Sequence, residues 1–156
     1  MDVKLSSFFS SVLKSGLIVG AFDAVAASLQ AYIMRGITPD KVFTFVASGA
    51  FGQSAYEGGS IMALIGLVFH FIIAIGWTFI FYVAFPKLTI LQSNKFFVGM
   101  AYGIFIWLIM NFVVIPLSLI GLRPFNLVSA SIQIIIHLFV IGVPISYLTH
   151  KFYFTR

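Results

Sequence analysis

The sequence contains no cysteine and very little charge: of 156 residues, nine are Lys or Arg and four are Asp or Glu. Without cysteine the chain has no disulfides, thiolate zinc sites, iron–sulfur clusters or cysteine nucleophiles. Charged residues make up 8% of the chain, against about 25% in a typical soluble domain. So few charges cannot cover a water-facing surface, which excludes an ordinary soluble globule and a disordered chain.

The basic residues do not form a nucleic-acid-binding surface, although the formal net charge is +5. They stand singly along the chain, without the basic patch and interleaved aromatic residues that such a surface needs. We therefore predict no nucleic-acid partner. The basic residues are expected to orient the chain in a membrane instead.

Long apolar stretches predict four transmembrane helices. Apolar residues make up 61% of the chain and its mean hydropathy is +1.11. A transmembrane helix needs roughly 20 apolar residues, and the predicted spans cover residues 12–34, 61–83, 96–120 and 127–148. The alternating ten-residue strands of a membrane barrel are absent. Residues 1–156 are thus predicted to be one all-α integral membrane domain, a four-helix bundle in the lipid bilayer.

The first span also resembles a signal peptide, since Lys4 and an apolar stretch precede Ala24-Val25-Ala26. Lys14 and Asp23 interrupt that stretch, which is longer than the apolar region of a typical signal peptide. We therefore expect the first span to be retained as a helix. Pro116 and Pro144 lie inside later spans, where each should kink its helix.

Basic residues predict that the N- and C-termini both face the cytoplasm. With four spans, the two termini and the loop between the second and third spans share one side. That side carries six of the nine basic residues: Lys4, Lys14, Lys87, Lys95, Lys151 and Arg156. The opposite side carries Arg35, Lys41 and Arg123.

The first external loop, residues 35–60, is predicted to contain a short interfacial helix. Thr38-Pro39-Asp40 is typical of a helix start, with an N-cap, a proline and an acid in the first turn. The apolar residues 41–50 that follow would lie on the membrane surface. A re-entrant loop that dips toward the bundle is the alternative, because Gly49, Gly52, Gly58 and Gly59 make the next stretch flexible.

The two halves of the sequence resemble each other. Gly16 and Gly20 form a GxxxG pair early in the first span, and Gly99 and Gly103 form another early in the third. Small residues four apart let two helices approach closely in lipid. Residues 69–76 of the second span resemble residues 136–142 of the fourth, and each segment contains a histidine. We predict two similar two-helix halves related by an axis along the membrane normal.

One motif in the chain carries a family resemblance. It comprises Gly99, Gly103, Asn111, Pro116-Leu117, Gly121-Leu122, Pro124 and His137-Leu138, preceded by Phe85-Pro86-Lys87. This motif resembles the YagU-like group of small bacterial inner-membrane proteins. Residues 47–52, with Gly58-Gly59 and His70-Phe71, are similar to a related set of bacterial membrane proteins. The resemblance implies a multi-pass, four-helix protein of the bacterial inner (cytoplasmic) membrane and supplies no mechanism.

Five polar groups interrupt the apolar spans: Asp23, Gln30, His70, Asn111 and His137. At 1.5 Å per residue, all except Gln30 lie roughly 15 Å below the outer ends of their spans. We therefore predict one polar layer near the midplane, to which four helices contribute. A charged Asp at that depth is costly, so Asp23 should face the bundle interior, be protonated or be paired. Gly16, Gly20, Asp23, Ala27 and Gln30 recur at helical spacing on one packing face.

Three interpretations of this layer stay open. It can hold the helices in register, at about 0.6 kcal/mol per interhelical contact, in a structural or assembly subunit that binds a second copy or another membrane protein. It can be a proton or small-solute pathway, with Asp23 as the protonatable acid and His70 and His137 as shuttles. It can also be a haem b site with His70 and His137 as axial ligands.

We predict no enzyme, no catalytic residues and no cofactor or metal unless a haem is bound. The spans contain only one Asp, so they lack the two acids of an intramembrane aspartyl hydrolase. Ser129 and Ser131 lie too shallow to pair with His137, and serines in spans usually hydrogen-bond their own helix.

Overall fold

A computed structural model describes residues 5–154, and its regular elements there are all helical. Four helices are long and apolar enough to cross a membrane: α1 (Leu5–Arg35), α3 (Gly59–Ala84), α4 (Lys95–Leu117) and α5 (Leu127–Phe154). Helix α2 (Pro39–Phe51) stands between α1 and α3, and 3₁₀ turns cover Gly52–Tyr56 and Thr89–Gln92. The predicted all-α fold is confirmed, with four helices that are long and apolar enough to cross a membrane. Lys4 and Arg156, which enter the orientation prediction, lie outside the described residues.

The outward faces of the four long helices are apolar. Large apolar side chains are exposed on each of them, for example Phe22, Leu64, Phe97 and Ile135. Water-soluble monomers rarely expose contiguous apolar patches beyond a few hundred Å². A surface of this kind matches the hydrocarbon region of a bilayer.

Helices α1 and α3 are brought into close contact by a pair of glycines. A methyl group added at Gly16 would lie 2.8 Å from the Cα of Ile75, and one added at Gly20 would lie 3.1 Å from the Cβ of Ala74. Contacts this short leave no room for a side chain. The predicted small-residue face of α1 therefore packs on α3.

Helices α4 and α5 approach even more closely. A methyl group at Gly103 would overlap the carbonyl of His137, and one at Gly99 would lie 2.6 Å from the Cα of Val143. On α5, Gly142 faces both glycines of α4, and a methyl group there would overlap the carbonyl of Gly99. The interface consists of backbone against backbone on both sides.

Both prolines within the spans follow a π-helical turn. The turn Met110–Val114 precedes Pro116 in α4, and the turn His137–Gly142 precedes Pro144 in α5. Proline has no N–H and its ring crowds the carbonyl one turn earlier, so a wider turn accommodates it. At Pro116 and Pro144, where the sequence predicts a kink, the structure has a π-helical turn before the proline.

The bundle is tightly packed at the end where α1 begins and α5 ends. Phe81 and Tyr82 of α3, and Phe85 directly after it, are completely buried there. The ring of Tyr82 lies 6.0 Å from that of Phe8 on α1 and 5.5 Å from that of Phe152 on α5. These five residues, named the aromatic plug below, close this end of the bundle.

Helix α2 packs along α3. Gly66 of α3 lies directly against the carbonyl of Phe43, and Ala47 is completely buried. Phe45 and Val46, on the same helix, line an internal cavity. Helix α2 therefore forms one wall of the bundle interior.

The start of α2 follows the signals read from the sequence. Thr38 precedes Pro39, which occupies the first turn together with Asp40. A side-chain hydrogen bond with Thr38 holds the pKa of the Asp40 carboxyl below its ordinary value. Asp40 is consequently ionised at neutral pH, and a negative charge stabilises a helix N-terminus.

Candidate functional site

Three of the five predicted polar groups meet at one cavity inside the bundle. The cavity has a volume of about 190 Å³ and is lined by Asp23 of α1, His70 of α3 and His137 of α5. Its other walls are mainly apolar and include Trp77 and Ile106. This space, named the Asp23 cavity below, brings an acid and two imidazoles together from three different helices.

Asp23 and His70 form the closest pair at this cavity. Nε2 of His70 lies 3.9 Å from Oδ2 of Asp23 and 2.9 Å from the carbonyl oxygen of Gly20. A carbonyl only accepts hydrogen bonds, so Nε2 carries a hydrogen and donates it to Gly20. The side chains of His70 and Asp23 are 13% and 20% exposed. Phe43 and Phe71 pack edge-to-face on the imidazole ring, which fixes its position.

His137 reaches the same cavity from α5. Its Nδ1 lies 2.8 Å from the carbonyl oxygen of Gln133, one turn earlier in the helix, and donates a hydrogen bond to it. In the neutral ring this leaves Nε2 as a hydrogen-bond acceptor. His137 also interacts electrostatically with Asp23. The site thus combines a carboxyl group with an imidazole nitrogen that is free to accept a proton.

Asn111 does not belong to this cavity, although depth counting predicts it in the same layer. Its Nδ2 donates a hydrogen bond to the carbonyl of Trp107 at 2.9 Å, and its side chain lines a separate pocket beside Gln133 and Pro124. Counting residues gives depth along a helix but not direction around it. Asn111 lies within the π turn Met110–Val114, where an extra residue changes the direction of the side chains.

Gln30 lines a second, larger cavity beyond the Asp23 cavity. Its Nε2 donates a hydrogen bond to the carbonyl of Ser129 at 3.3 Å. This second space has a volume of about 470 Å³ and is lined by three basic residues, Arg35, Lys41 and Arg123, so we name it the basic cavity. Phe45 and Val46 line both cavities, so the two cavities adjoin at these residues.

Buried hydroxyl groups lie on the aromatic-plug side of the Asp23 cavity, although none of them lines it. We name them the hydroxyl file: Ser15, Thr78, Tyr82, Ser146 and Thr149, all of them buried. Oγ of Ser15 lies 2.9 Å from Oη of Tyr82, which also interacts with the hydroxyl of Thr149. Oγ of Ser146 has no hydrogen-bond partner within residues 5–154.

The sequence does not predict the hydroxyl file as part of the site. A signal for it exists, because Thr78 and Tyr82 are four residues apart on α3, and Ser146 and Thr149 are three apart on α5. Residues at these separations share one face of a helix. The signal is weak, because Thr78 and Thr149 also hydrogen-bond the carbonyl one turn earlier in their own helices.

Comparison of the chain with family models, curated proteins and solved structures finds no match. A carboxyl group and two imidazoles each bind and release a proton. A cavity of about 190 Å³ is also large enough for several water molecules, each of which occupies about 30 Å³ in the liquid.

Proposed function

We propose that the protein is a proton pathway of the bacterial inner membrane, in which Asp23 takes up and releases the proton. The observation that carries this proposal is the meeting of Asp23, His70 and His137 at one cavity within four membrane-spanning helices. Ionisable groups are costly inside a membrane, and chains of Asp and His are typical of intramembrane proton relays. His70 and His137 act as the shuttles beside the acid.

Features on both sides of Asp23 support a route for the proton. On one side, the Asp23 cavity adjoins the basic cavity at Phe45 and Val46, which line both. On the other side, Thr78 lies one turn beyond Ala74 of the cavity lining, and Ser15 is hydrogen-bonded to Tyr82 of the aromatic plug. Hydroxyl groups both donate and accept hydrogen bonds, so they can pass a proton along a chain.

We propose that the aromatic plug faces the cytoplasm and that both termini lie on that side. Lys14, Lys95 and Lys151 are at the plug ends of their helices, and Lys87 lies in the turn that follows α3 at the same end, which supports this orientation by the positive-inside rule. The bacterial inner membrane itself is proposed from the resemblance to the YagU-like group. We also propose that the partner of the chain is a second copy of itself or another membrane protein.

The packing supports two similar halves, α1 with α3 and α4 with α5. In each half a glycine of the first helix contacts the histidine of the second. His70 donates to the carbonyl of Gly20, and Gly103 lies against the carbonyl of His137. For α2, the contact between Phe43 and His70, near the middle of α3, favours the re-entrant alternative over a helix on the membrane surface.

Proton flux into liposomes tests this function directly. Purified protein is reconstituted into liposomes that contain a pH-sensitive dye. Valinomycin is then added to impose a potassium diffusion potential, and the dye reports acidification of the lumen. We expect the wild type to acidify the lumen at least tenfold faster than empty vesicles. Asp23→Asn should lower the rate to that of empty vesicles, because an amide does not exchange a proton in this pH range. Asp40→Asn removes an exposed carboxylate and should leave the rate unchanged.

Two results would contradict the proposal. The first is a folded wild-type protein that acidifies no faster than empty vesicles. The second is Asp23→Asn protein that reconstitutes and acidifies like the wild type. Either result favours the structural interpretation, in which the polar groups hold the helices of an assembly subunit.

The geometry gives the haem b alternative less support. Nε2 of His70 is already engaged by the carbonyl of Gly20. The Asp23 cavity, at about 190 Å³, is below the roughly 300–1,000 Å³ of typical small-molecule pockets. We expect protein expressed with ample haem to show no Soret band after purification. A Soret band that His137→Ala removes would favour the haem site instead.

A further inference from the structure

Among residues 5–154, three basic side chains and no acidic side chain line the basic cavity. Arg35 comes from the end of α1, Lys41 from the first turn of α2, and Arg123 from the loop before α5. Within residues 5–154, no carboxylate oxygen lies within 4.0 Å of any of the three. Asp40 interacts electrostatically with Lys41 but is not part of the lining. Three cations therefore outweigh this one carboxylate, and the positive potential attracts anions.

The two guanidinium groups are held in place by neighbouring side chains. Nη2 of Arg35 donates a hydrogen bond to Oγ of Ser129 at 2.9 Å. The guanidinium of Arg123 lies 4.5 Å from the ring centre of Phe45, in a cation–π contact. Each guanidinium has five N–H donors, so donors remain for a ligand. Guanidinium geometry matches the paired oxygens of carboxylates and phosphates.

The floor of the basic cavity is apolar. We use this name for the apolar part of the lining, Ala27, Ala31, Met34, Ile37, Val42, Phe45 and Val46; the uncharged polar part is Gln30, Tyr56, Ser129 and Gln133. The volume of about 470 Å³ lies within the range of small-molecule pockets, roughly 300–1,000 Å³. An inorganic ion would leave most of this space and its apolar floor uncovered. The lining suits a ligand with an anionic group and an apolar portion.

We propose that the basic cavity binds an organic anion with an apolar tail. Arg35, Lys41 and Arg123 hold the phosphate or carboxylate, and the tail lies on the floor formed by α1 and α2. The headgroup of an anionic lipid and a water-soluble organic anion share this chemistry. The proposal does not depend on proton movement through the Asp23 cavity, so each can fail without the other.

Binding of octyl phosphate tests the proposal. The probe is titrated by calorimetry into full-length protein in phosphatidylcholine nanodiscs, with empty nanodiscs as background. We expect saturable binding with one site per chain. Arg35→Gln and Arg123→Gln should each weaken it at least tenfold, because each removes charge-assisted hydrogen bonds to the anion. Inorganic phosphate, which has no tail, should bind at least tenfold more weakly than octyl phosphate.

Matched controls separate the site from general charge effects. Lys87→Gln removes an exposed cation at the opposite end of the bundle and should leave the affinity unchanged. Octyltrimethylammonium has the same tail with the opposite charge and should not bind. If an arginine variant does not fold, Lys41→Gln tests the cavity instead, because Lys41 is exposed.

The same titration in nanodiscs of a different lipid composition identifies the source of the anion. Replacing part of the phosphatidylcholine with phosphatidylglycerol should weaken octyl phosphate binding if a lipid headgroup is the occupant. An unchanged affinity indicates a water-soluble anion. The proposal is overturned if folded wild-type protein shows no saturable binding of octyl phosphate. It is also overturned if folded variants of all three basic residues bind octyl phosphate like the wild type.

Discussion

Gly142→Ala is expected to abolish the native packing of α4 against α5. The added methyl group would overlap the carbonyl of Gly99 and lie 2.6 Å from the amide nitrogen of Gly103. These neighbours are backbone atoms of another helix, so no side-chain rotation can relieve the overlap. The two helices must separate, and the close contacts along the interface are lost with them. We expect a loss of about 3 kcal/mol, the upper range for overpacking, from a total stability of roughly 5–15 kcal/mol.

Thermal unfolding in detergent, followed by size-exclusion chromatography, measures this effect. We expect Gly142→Ala protein to lose its monodisperse peak well below the wild-type midpoint, or to lack it from the start. Gly76→Ala is the matched control, because a methyl group at Gly76 on α3 has no neighbour within 4 Å. Its midpoint should equal or exceed that of the wild type, since alanine favours helix more than glycine does. A wild-type midpoint for Gly142→Ala would refute the close packing of α4 and α5.

Phe85→Ala is expected to cause the second large loss of stability. Phe85 is 1% exposed, and its ring stacks on Tyr153 at 5.1 Å and meets His150 at 4.8 Å. Truncation removes these contacts and leaves a void in the aromatic plug. Phe→Ala substitutions in protein cores cost about 3–5 kcal/mol. We expect about 3 kcal/mol here, because lipid provides no hydrophobic drive between helices.

The free energies of unfolding of the wild type and the variants are measured in mixed micelles. The fraction of dodecyl sulfate is increased, and unfolding is followed by circular dichroism. Phe97→Ala is the control, since Phe97 is 66% exposed on the outer face of α4. Its truncation should change the free energy of unfolding by no more than about 0.5 kcal/mol. Equal losses for the two variants would contradict the burial of Phe85 within the plug.

Much of the candidate site could be predicted from the sequence, because ionisable residues inside apolar spans have few places to lie. Asp23, His70 and His137 were predicted in one layer, and they line one cavity. Asn111 was predicted at the same depth, yet it lines another pocket. Depth follows from counting residues, whereas direction around the helix depends on the π turn before Pro116.

Other parts of the site depend on helices that are far apart in the sequence. The contact of Ser15 with Tyr82 joins positions 67 residues apart, and that of Arg35 with Ser129 joins positions 94 apart. Neither pair follows from spacing within a helix. The basic cavity has the same origin, because α1, α2 and the loop before α5 each contribute one of its three cations.

The sequence by itself determined that the chain forms four apolar helices, since in lipid each helix must satisfy its own backbone hydrogen bonds. Its GxxxG pairs also indicated that Gly16, Gly20, Gly99 and Gly103 lie between helices, because small residues permit backbone contact, whereas the contacts of Gly66 and Gly142 emerged only from the structure. The tertiary structure alone decided that α2 forms a wall of the Asp23 cavity and that the two cavities adjoin at Phe45 and Val46. Both depend on how helices rotate and cross when they pack, and local sequence patterns do not encode that geometry.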